Sequence, residues 1–425
     1  MFIDNDFVLM NKDNVVKNFS IVYDQYNDFK FIEESKSYSP VPVGYKDIHN
    51  WLANRQAPKH REHINELLKK CGCDNLDGYM RITHALTLND TFWVKPVDSA
   101  LEWNKISLYK NEFNEVIARI AFEGGMQGEL FSSTSPEFGT DGNYAKCWVR
   151  EKNDDIYLIK GGSQGARNTG REPFSECYAA QLAKLICKNS VSYEITKFHN
   201  KVASKCKLFS SEQEGYVPAS RFFSNQVTAS DIEQFYSSYD MLDDFRRMVI
   251  LDALIINVDR HLGNHGVMIN NDSMEVLRMA PIFDNNLSLC PGSEPEDFVN
   301  MSKFLSEQKP KIGSEFCEIA NKLLTPHLKA ELKNLKDFRY EPLGNIDISD
   351  ERRNLLNDIY LKQLNGILDY KSYYMSVIKP YEKKADINEI HNLDFTKMVE
   401  RSDNKATSIL KMAYKGYEVE NEYDR

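Results

Sequence analysis

Runs of apolar residues long enough to cross a bilayer are missing. No segment approaches the roughly 20 consecutive apolar residues of a membrane span, which excludes a membrane-embedded function. Cysteine is scarce: eight residues among 425, at positions 71, 73, 147, 177, 187, 206, 290 and 317, with no CxxC pair of the kind that builds zinc sites. Cys71 and Cys73 are spaced to chelate a metal, but so scattered a set reads as reduced thiols in a cytoplasmic protein. Positive charge is short as well. Lys and Arg number 53 against 63 Asp and Glu, a net charge of −10, so the field of the molecule repels phosphate backbones and anionic membrane surfaces. No local basic patch dominates, and direct nucleic-acid contact is not expected. With only 14 Pro and 20 Gly, collagen-like and low-complexity classes are excluded. The first residues carry Asp4 and Asp6 where a secretory signal carries Lys or Arg, so export is not expected.

The apolar and charged fractions, 42% and 27%, are those of a chain that folds, and 425 residues at about 150 per domain predict two or three domains or lobes. No internal repeat is present. Residues 20–23 and 29–32 read as short strands before a turn at Pro40 and Pro42. Residues 59–71 follow a helical template, with Gly72 as its C-terminal cap. The stretch 51–61, rich in Asn, Arg and His, reads as a solvated loop and helix entry, or as a binding surface. Phe92-Trp93-Val94 is a packed element, and 103–122 a mixed connector. From about residue 125 glycines and hydroxyls lead into a strand ending at Val149, whose hairpin partner is 154–160, ending at Lys160. Pro173 opens a helix with Glu176 in its early turns and Phe174, Tyr178, Leu182, Leu185 and Ile186 as its buried stripe. Residues 191–223 read as strands with a turn at Glu214-Gly215, residues 240–256 as an amphipathic helix, and the chain beyond 300 as several helices.

Directly after that helix comes Asn257-Val-Asp259-Arg-His261-Leu-Gly-Asn264, then a hairpin turned at 270–273, then Pro281-Ile-Phe-Asp284. Asp259, Asn264 and Asp284 thus fall on two loops joined by a short hairpin. Phosphoryl transfer needs a carboxylate at the attacking hydroxyl and oxygen ligands for the Mg²⁺ that bridges the phosphates, and the Asp259-to-Asn264 spacing matches a kinase catalytic loop. Upstream, a strand-end Lys160 and a helical Glu176 supply a phosphate-steering lysine and the carboxylate that holds it. Asp and Asn also serve turns, and Lys160 and Glu176 are unremarkable singly; the ordered set is what carries the reading. His261 and His265, flanked by Gly263 and Gly266, read as supports of this loop rather than a helical metal pair.

On these residues, 130–290 resembles the bilobal protein-kinase-type fold, and within it the bacterial HipA-like serine/threonine kinases. The resemblance implies an α+β fold with a β-rich N-lobe and a helical C-lobe. Its divisions would be 1–125 as an N-terminal subdomain for partner docking, 126–223 as the N-lobe, 224–385 as the C-lobe and 386–425 as a tail. It implies Asp259 as catalytic base, Asn264 and Asp284 as Mg²⁺ ligands, Lys160 on the ATP phosphates, Glu176 as its ion-pair partner, and a nucleotide-binding loop containing Gly139 and Gly142. In that family a loop serine is autophosphorylated; Ser135 is the candidate, with Ser133 and Thr134 beside it. The resemblance also implies a toxin–antitoxin setting, with a small DNA-binding antitoxin as partner and a translation factor, such as an aminoacyl-tRNA synthetase, as protein substrate.

There are departures from the pattern. Gly139-Thr-Asp-Gly142 is not a GxGxxG, and Gly161-Gly-Ser-Gln-Gly165 offers a second approach to phosphate but lacks the Lys-Ser/Thr of a Walker A loop. The first 125 residues match the family's N-terminal subdomain only weakly. Asp-Arg-His-x-x-Asn also occurs in phosphoinositide kinases, and Asp-x-His-x-x-Asn in aminoglycoside-type phosphotransferases. A small-molecule or lipid kinase, a nucleotide-binding pseudokinase and a metal-dependent hydrolase built on Asp259, His261 and Asp284 are therefore the competing expectations.

Overall fold

A computed structural model describes residues 6–23, 29–58, 63, 67–69, 71–72, 76–124, 135–164, 170–223 and 226–370. The first sheet is formed by β1 (Asp6–Asn11), β2 (Asn14–Tyr23), β3 (Phe29–Glu34) and β4 (Phe92–Pro96), antiparallel in the order β3-β2-β1-β4. Alternation along β1 sends Phe7 and Leu9 into one apolar cluster and Val8 and Met10 into another, so this strand is covered on both faces.

The second sheet comprises β5 (Lys146–Arg150), β6 (Ile156–Gly161), β7 (Tyr193–Phe198) and β8 (Lys201–Lys207) in the order β5-β6-β8-β7. β7 and β8 are joined by His199 and Asn200, both at positive φ (45° and 65°), the two-residue turn whose twist suits a hairpin. The helix Glu172–Ile186, with Pro173 in its first turn, packs on this sheet. The expected stripe Phe174, Tyr178, Leu182 and Ile186 faces inward, but Leu185 is 54% exposed, since it lies on the outer side of the last turn.

β9 (Glu214–Pro218), β10 (Gly266–Asn270) and β11 (Val276–Met279) make a third sheet, ordered β11-β10-β9. The turn expected at Glu214-Gly215 is instead strand: Gly215 lies opposite Ile269, because β9 finds its partner fifty residues downstream. Apart from these strands, the described residues from 229 to 368 are mostly helical. The helix Leu242–Ile255 is the hub, buried from Arg247 through Ile255 rather than amphipathic, and it contacts the helices Glu172–Ile186, Ala229–Ser238, Phe316–Lys322 and Asp350–Leu368. At about 1.5–3 kcal/mol per large apolar side chain, its Phe, Met, Val, Ile and Leu residues make it the main contributor to this core.

The connector expected over 103–122 contains two helices, Trp103–Ile106 and Glu115–Glu123, the second capped by the Asn114 side chain. Of the helix expected over 59–71, residues 67–69 are helical and Gly72 follows at φ 75°; 59–62, 64–66 and 70 lie outside the described residues, as do Cys73 and the tail 386–425. Among the described residues no helix is long and apolar enough to cross a membrane.

The N-terminal sheet is fastened to the third sheet by polar contacts. Asn11 Nδ2 donates to the Asn271 carbonyl at 2.6 Å, Lys12 pairs with Asp272 at 2.6 Å, and the Tyr216 N–H donates to the Asn89 carbonyl at 2.7 Å. A further contact is steric. Gly44 stands at φ 70° with its α-carbon against the Arg221 carbonyl, where a Cβ would overlap it. Gly44→Ala should therefore cost about 1–3 kcal/mol, read as a lower urea midpoint; an unchanged midpoint would show that the 42–45 loop does not dock there.

Candidate active site

The helix Leu242–Ile255 stops at Ile256, which adopts a left-handed conformation (φ 51°, ψ 53°) with its N–H returned to the Asp252 carbonyl. A β-branched residue resists this conformation, and the burial of Ile256 in the core holds it there. The reversal throws the chain into the loop 257–264. Asn257 fixes its start: Nδ2 donates to Asp252 Oδ1 at 3.0 Å, and Oδ1 accepts the Asp259 N–H at 3.0 Å.

Arg260 fixes the rest. Its guanidinium is 1% exposed and pairs with Asp252 through Nε and Nη2 at 3.0 Å; it also donates to the Asn264 carbonyl at 2.9 Å, the Phe283 carbonyl at 2.6 Å and Asn285 Oδ1 at 2.5 Å. One buried side chain thereby joins the core helix, the Asp259 loop and the Asp284 loop. Burial pushes the Asp252 carboxyl above its usual range against the pull of Arg260, while the guanidinium keeps its charge.

On the other side, β6 delivers Lys160 and the helix Glu172–Ile186 delivers Glu176. Lys160 Nζ lies 2.7 Å from Glu176 Oε1 and 2.6 Å from Asp284 Oδ1. Glu176 is fully buried behind the lysine, and its Oε2 accepts the Ser204 hydroxyl at 2.6 Å. Burial works against the charge on Lys160, but Asp284 and Glu176 outweigh it and raise its pKa. Burial likewise opposes ionisation of Asp284, yet Lys160, Lys146 and Arg260 hold that carboxyl down at about 2. Asp284 stands at φ 55°, and its N–H donates to the Tyr193 hydroxyl at 3.2 Å.

Lys160, Asp259, Asn264 and Asp284 line one cavity of about 760 Å³, within the roughly 300–1,000 Å³ of ligand pockets. The Asp259 carboxylate has no hydrogen-bond partner among the described residues, and its pKa is raised, first by burial and then by the charge of Asp284. Asn264 Nδ2 donates to the Asp259 carbonyl at 3.0 Å, which leaves its amide oxygen as the free acceptor. Asp284 and Asn264 thus offer hard oxygen donors in one cavity, a set that suits Mg²⁺, which commonly takes one or two protein ligands together with substrate phosphates. Among the described residues no cluster of three or more His, Cys, Asp or Glu is poised around a metal.

Gly139 and Gly142 also line this cavity. Gly139 closes the short 3-10 turn Pro136–Gly139 beneath Leu86 and Thr87; Gly142, at φ 94°, leaves room for the Lys146 ammonium, which donates to the Asp141 carbonyl at 2.7 Å. Ser135 is 1% exposed and donates to Glu137, away from the cavity lining; Ser133 and Thr134 lie outside the described residues. In the run from Gly161, Ser163 N–H donates to Glu172 at 3.0 Å, and Gly165 lies outside the described residues. His261 is exposed, whereas His265 is buried with Nδ1 2.7 Å from the Tyr236 hydroxyl.

Arg260, Asp252, Lys146, Tyr193 and Ser204 were not singled out by sequence reasoning. Arg260 lies inside the loop motif, and β-alternation places Lys146 beside Trp148 on one face, where strand pairing sets it directly opposite Lys160.

Arg260→Ala would leave the buried Asp252 carboxylate without a counter-charge and with only the Asn257 amide as its side-chain donor. A loss of about 3–5 kcal/mol is expected in urea unfolding, and a loss below about 1 kcal/mol would refute the bridging role. A second expectation concerns acid. Burial first, then the charges of Arg260 and His261, lower the pKa of His265 from 6.5 to about 3. Its neutral ring contributes stability that is complete above pH 6.5 and declines as pH falls toward 3, because the unfolded chain takes up the proton. His265→Gln should flatten the stability–pH curve across that window relative to wild type; parallel curves would place the titration elsewhere.

No protein-family model matches the chain, and no curated protein does. Among solved structures, the chain is similar to the Helicobacter pylori proinflammatory kinase CtkA, with a TM-score of 0.42 and 16% identity over 56% of this chain and 95% of that one. It is also similar to a chain of the Shewanella oneidensis toxin–antitoxin complex of HipA, HipB and operator DNA, with a TM-score of 0.48 and 12% identity over 86% of this chain and 100% of that one.

Proposed function

We propose that this chain is an ATP- and Mg²⁺-dependent kinase that phosphorylates a serine or threonine hydroxyl on a protein. The observation that carries the reading is Lys160, held between Glu176 behind and Asp284 in front, in the cavity that also presents Asp259 and Asn264. A structural ion pair does not require an unpartnered carboxylate nearby, whereas phosphoryl transfer does.

Each residue then has a task. Lys160 orients the triphosphate, with Glu176 and Ser204 keeping its ammonium at one position. Asp284 and Asn264 would hold Mg²⁺, which when bound neutralises charge on the phosphates. Asp259 accepts the proton of the acceptor hydroxyl as that oxygen bonds to the γ-phosphorus and the bond to the leaving phosphate oxygen breaks. Its raised pKa makes it a better proton acceptor than an exposed aspartate.

The setting follows the sequence resemblance: a cytoplasmic protein, a translation-factor substrate, and a small DNA-binding antitoxin, to which an acidic chain would leave the DNA contact. Free thiols at Cys177, Cys187, Cys206, Cys290 and Cys317 suit that compartment. Autophosphorylation of Ser135 would require the turn holding its hydroxyl on Glu137 to open.

Incubation with Mg²⁺ and γ-labelled ATP, followed by peptide mapping, tests the reading. Asp259→Ala should lower transfer by about 10²–10⁴-fold while nucleotide affinity is retained, and Lys160→Met should weaken both. Transfer that survives Asp259→Ala would remove this residue from the chemistry.

A further inference from the structure

The cavity extends well past Lys160, and its far wall comes from the N-terminal part of the chain. Arg221 lies on that wall, at the end of the short 3-10 turn Ala219–Arg221. The turn is tied to the Asp259 loop, since the Ala219 N–H donates to the His265 carbonyl at 2.9 Å and the Ser220 N–H to the Leu262 carbonyl at 3.0 Å. On its other flank Gly44 packs on the Arg221 backbone. Arg221 Nη2 donates to the Asn54 carbonyl at 3.3 Å, and among the described residues the guanidinium has no ion-pair partner.

The other cations lining the cavity are all engaged. Arg55 holds Asp90 at 2.7 Å, Lys160 holds Asp284 and Glu176, Lys207 holds Asp155 at 2.6 Å, and Lys146 donates to the Asp141 carbonyl. Arg221 is partly buried, with Arg55 as a nearby like charge, and a guanidinium cannot shed its proton to relieve the cost. Its charged neighbours are Arg55, Asp90 and Asp141, whereas Lys160 is held by Asp284 and Glu176.

We propose that Arg221 binds an acidic side chain adjacent to the hydroxyl that receives phosphate, so that this wall is an acceptor subsite selecting acidic peptides. A carboxylate matches the planar guanidinium fork, which no ion pair occupies among the described residues. The proposal rests on the phosphotransfer reading only for the fate of the hydroxyl; the anion site is a binding property of the chain.

The test uses the full chain and two synthetic peptides identical except that the central serine is flanked by Asp and Glu in one and by Lys in the other. Binding is followed by fluorescence anisotropy at low salt with Mg²⁺ and a non-hydrolysable ATP analogue, and analogue affinity is measured separately. Wild type should bind the acidic peptide about tenfold more tightly than the basic one; Arg221→Ala should abolish the difference, Arg221→Lys retain part of it and Arg221→Glu reverse it, with analogue affinity unchanged within about twofold. Equal binding of both peptides by wild type, a preference for the basic one, or a difference that persists in Arg221→Ala would overturn the proposal; the first two need no variant to fold. A fall in analogue affinity with Arg221→Ala would also overturn it, by assigning Arg221 to the triphosphate. Discrimination by wild type without analogue binding would support the subsite while removing the kinase reading.

Discussion

The site depends on one buried guanidinium. Arg260 reaches the core helix through Asp252, its own loop through the Asn264 carbonyl, and the neighbouring loop through the Phe283 carbonyl and Asn285. Two loops joined by the β10–β11 hairpin are thus both referenced to the core helix Leu242–Ile255. A buried ion pair is a weak source of net stability, since the cost of removing both charges from water offsets most of their attraction. The gain lies in geometry: Arg260 has several donors in a rigid plane, and each is aimed at an acceptor whose displacement would leave a buried polar group unsatisfied.

The backbone works in the same direction. Ile256, Asp284, Leu289 and Cys290 all stand at positive φ, a conformation that non-glycine residues avoid. Ile256 turns the chain out of the helix, and Asp284 turns its carboxylate toward Lys160. The Leu289 N–H returns to the Ile255 carbonyl at 2.7 Å, so the segment after Asp284 is tied to the helix end that launches Asp259. Strain at these positions is sustained by the surrounding core and places both carboxylates against one cavity.

Much of this was legible in the sequence where the signal is local. The hairpin ending at Lys160, the helix opened by Pro173 and the hairpin turned at 270–273 follow from alternation, proline placement and turn chemistry. The spacing of Asp259 and Asn264, followed by Asp284 after the hairpin, brought these three residues forward as part of an ordered set. What could not be read there depends on distant partners. Arg260 sits inside the motif, but its burial and its reach to Phe283 and Asn285 arise only when two loops pack on one helix. Glu214-Gly215 has the composition of a turn and becomes strand because β10 offers an edge. Ser135 has the composition of a flexible loop, yet its hydroxyl is buried on Glu137.

The N-terminal part shows the same limit from the other side. Residues 51–61 read as a solvated stretch, with a binding surface as the alternative, yet Trp51 and Arg55 are buried, with Arg55 stacked 4.3 Å from the Trp51 ring and locked on Asp90. That lock holds the 87–92 segment against the helix Ile48–Ala53, and Gly44 lets the preceding loop close on Arg221. The consequence is electrostatic. Because Asp90 is already engaged by Arg55, it makes no ion pair with Arg221, and the guanidinium is left with the Asn54 carbonyl as its hydrogen-bond partner.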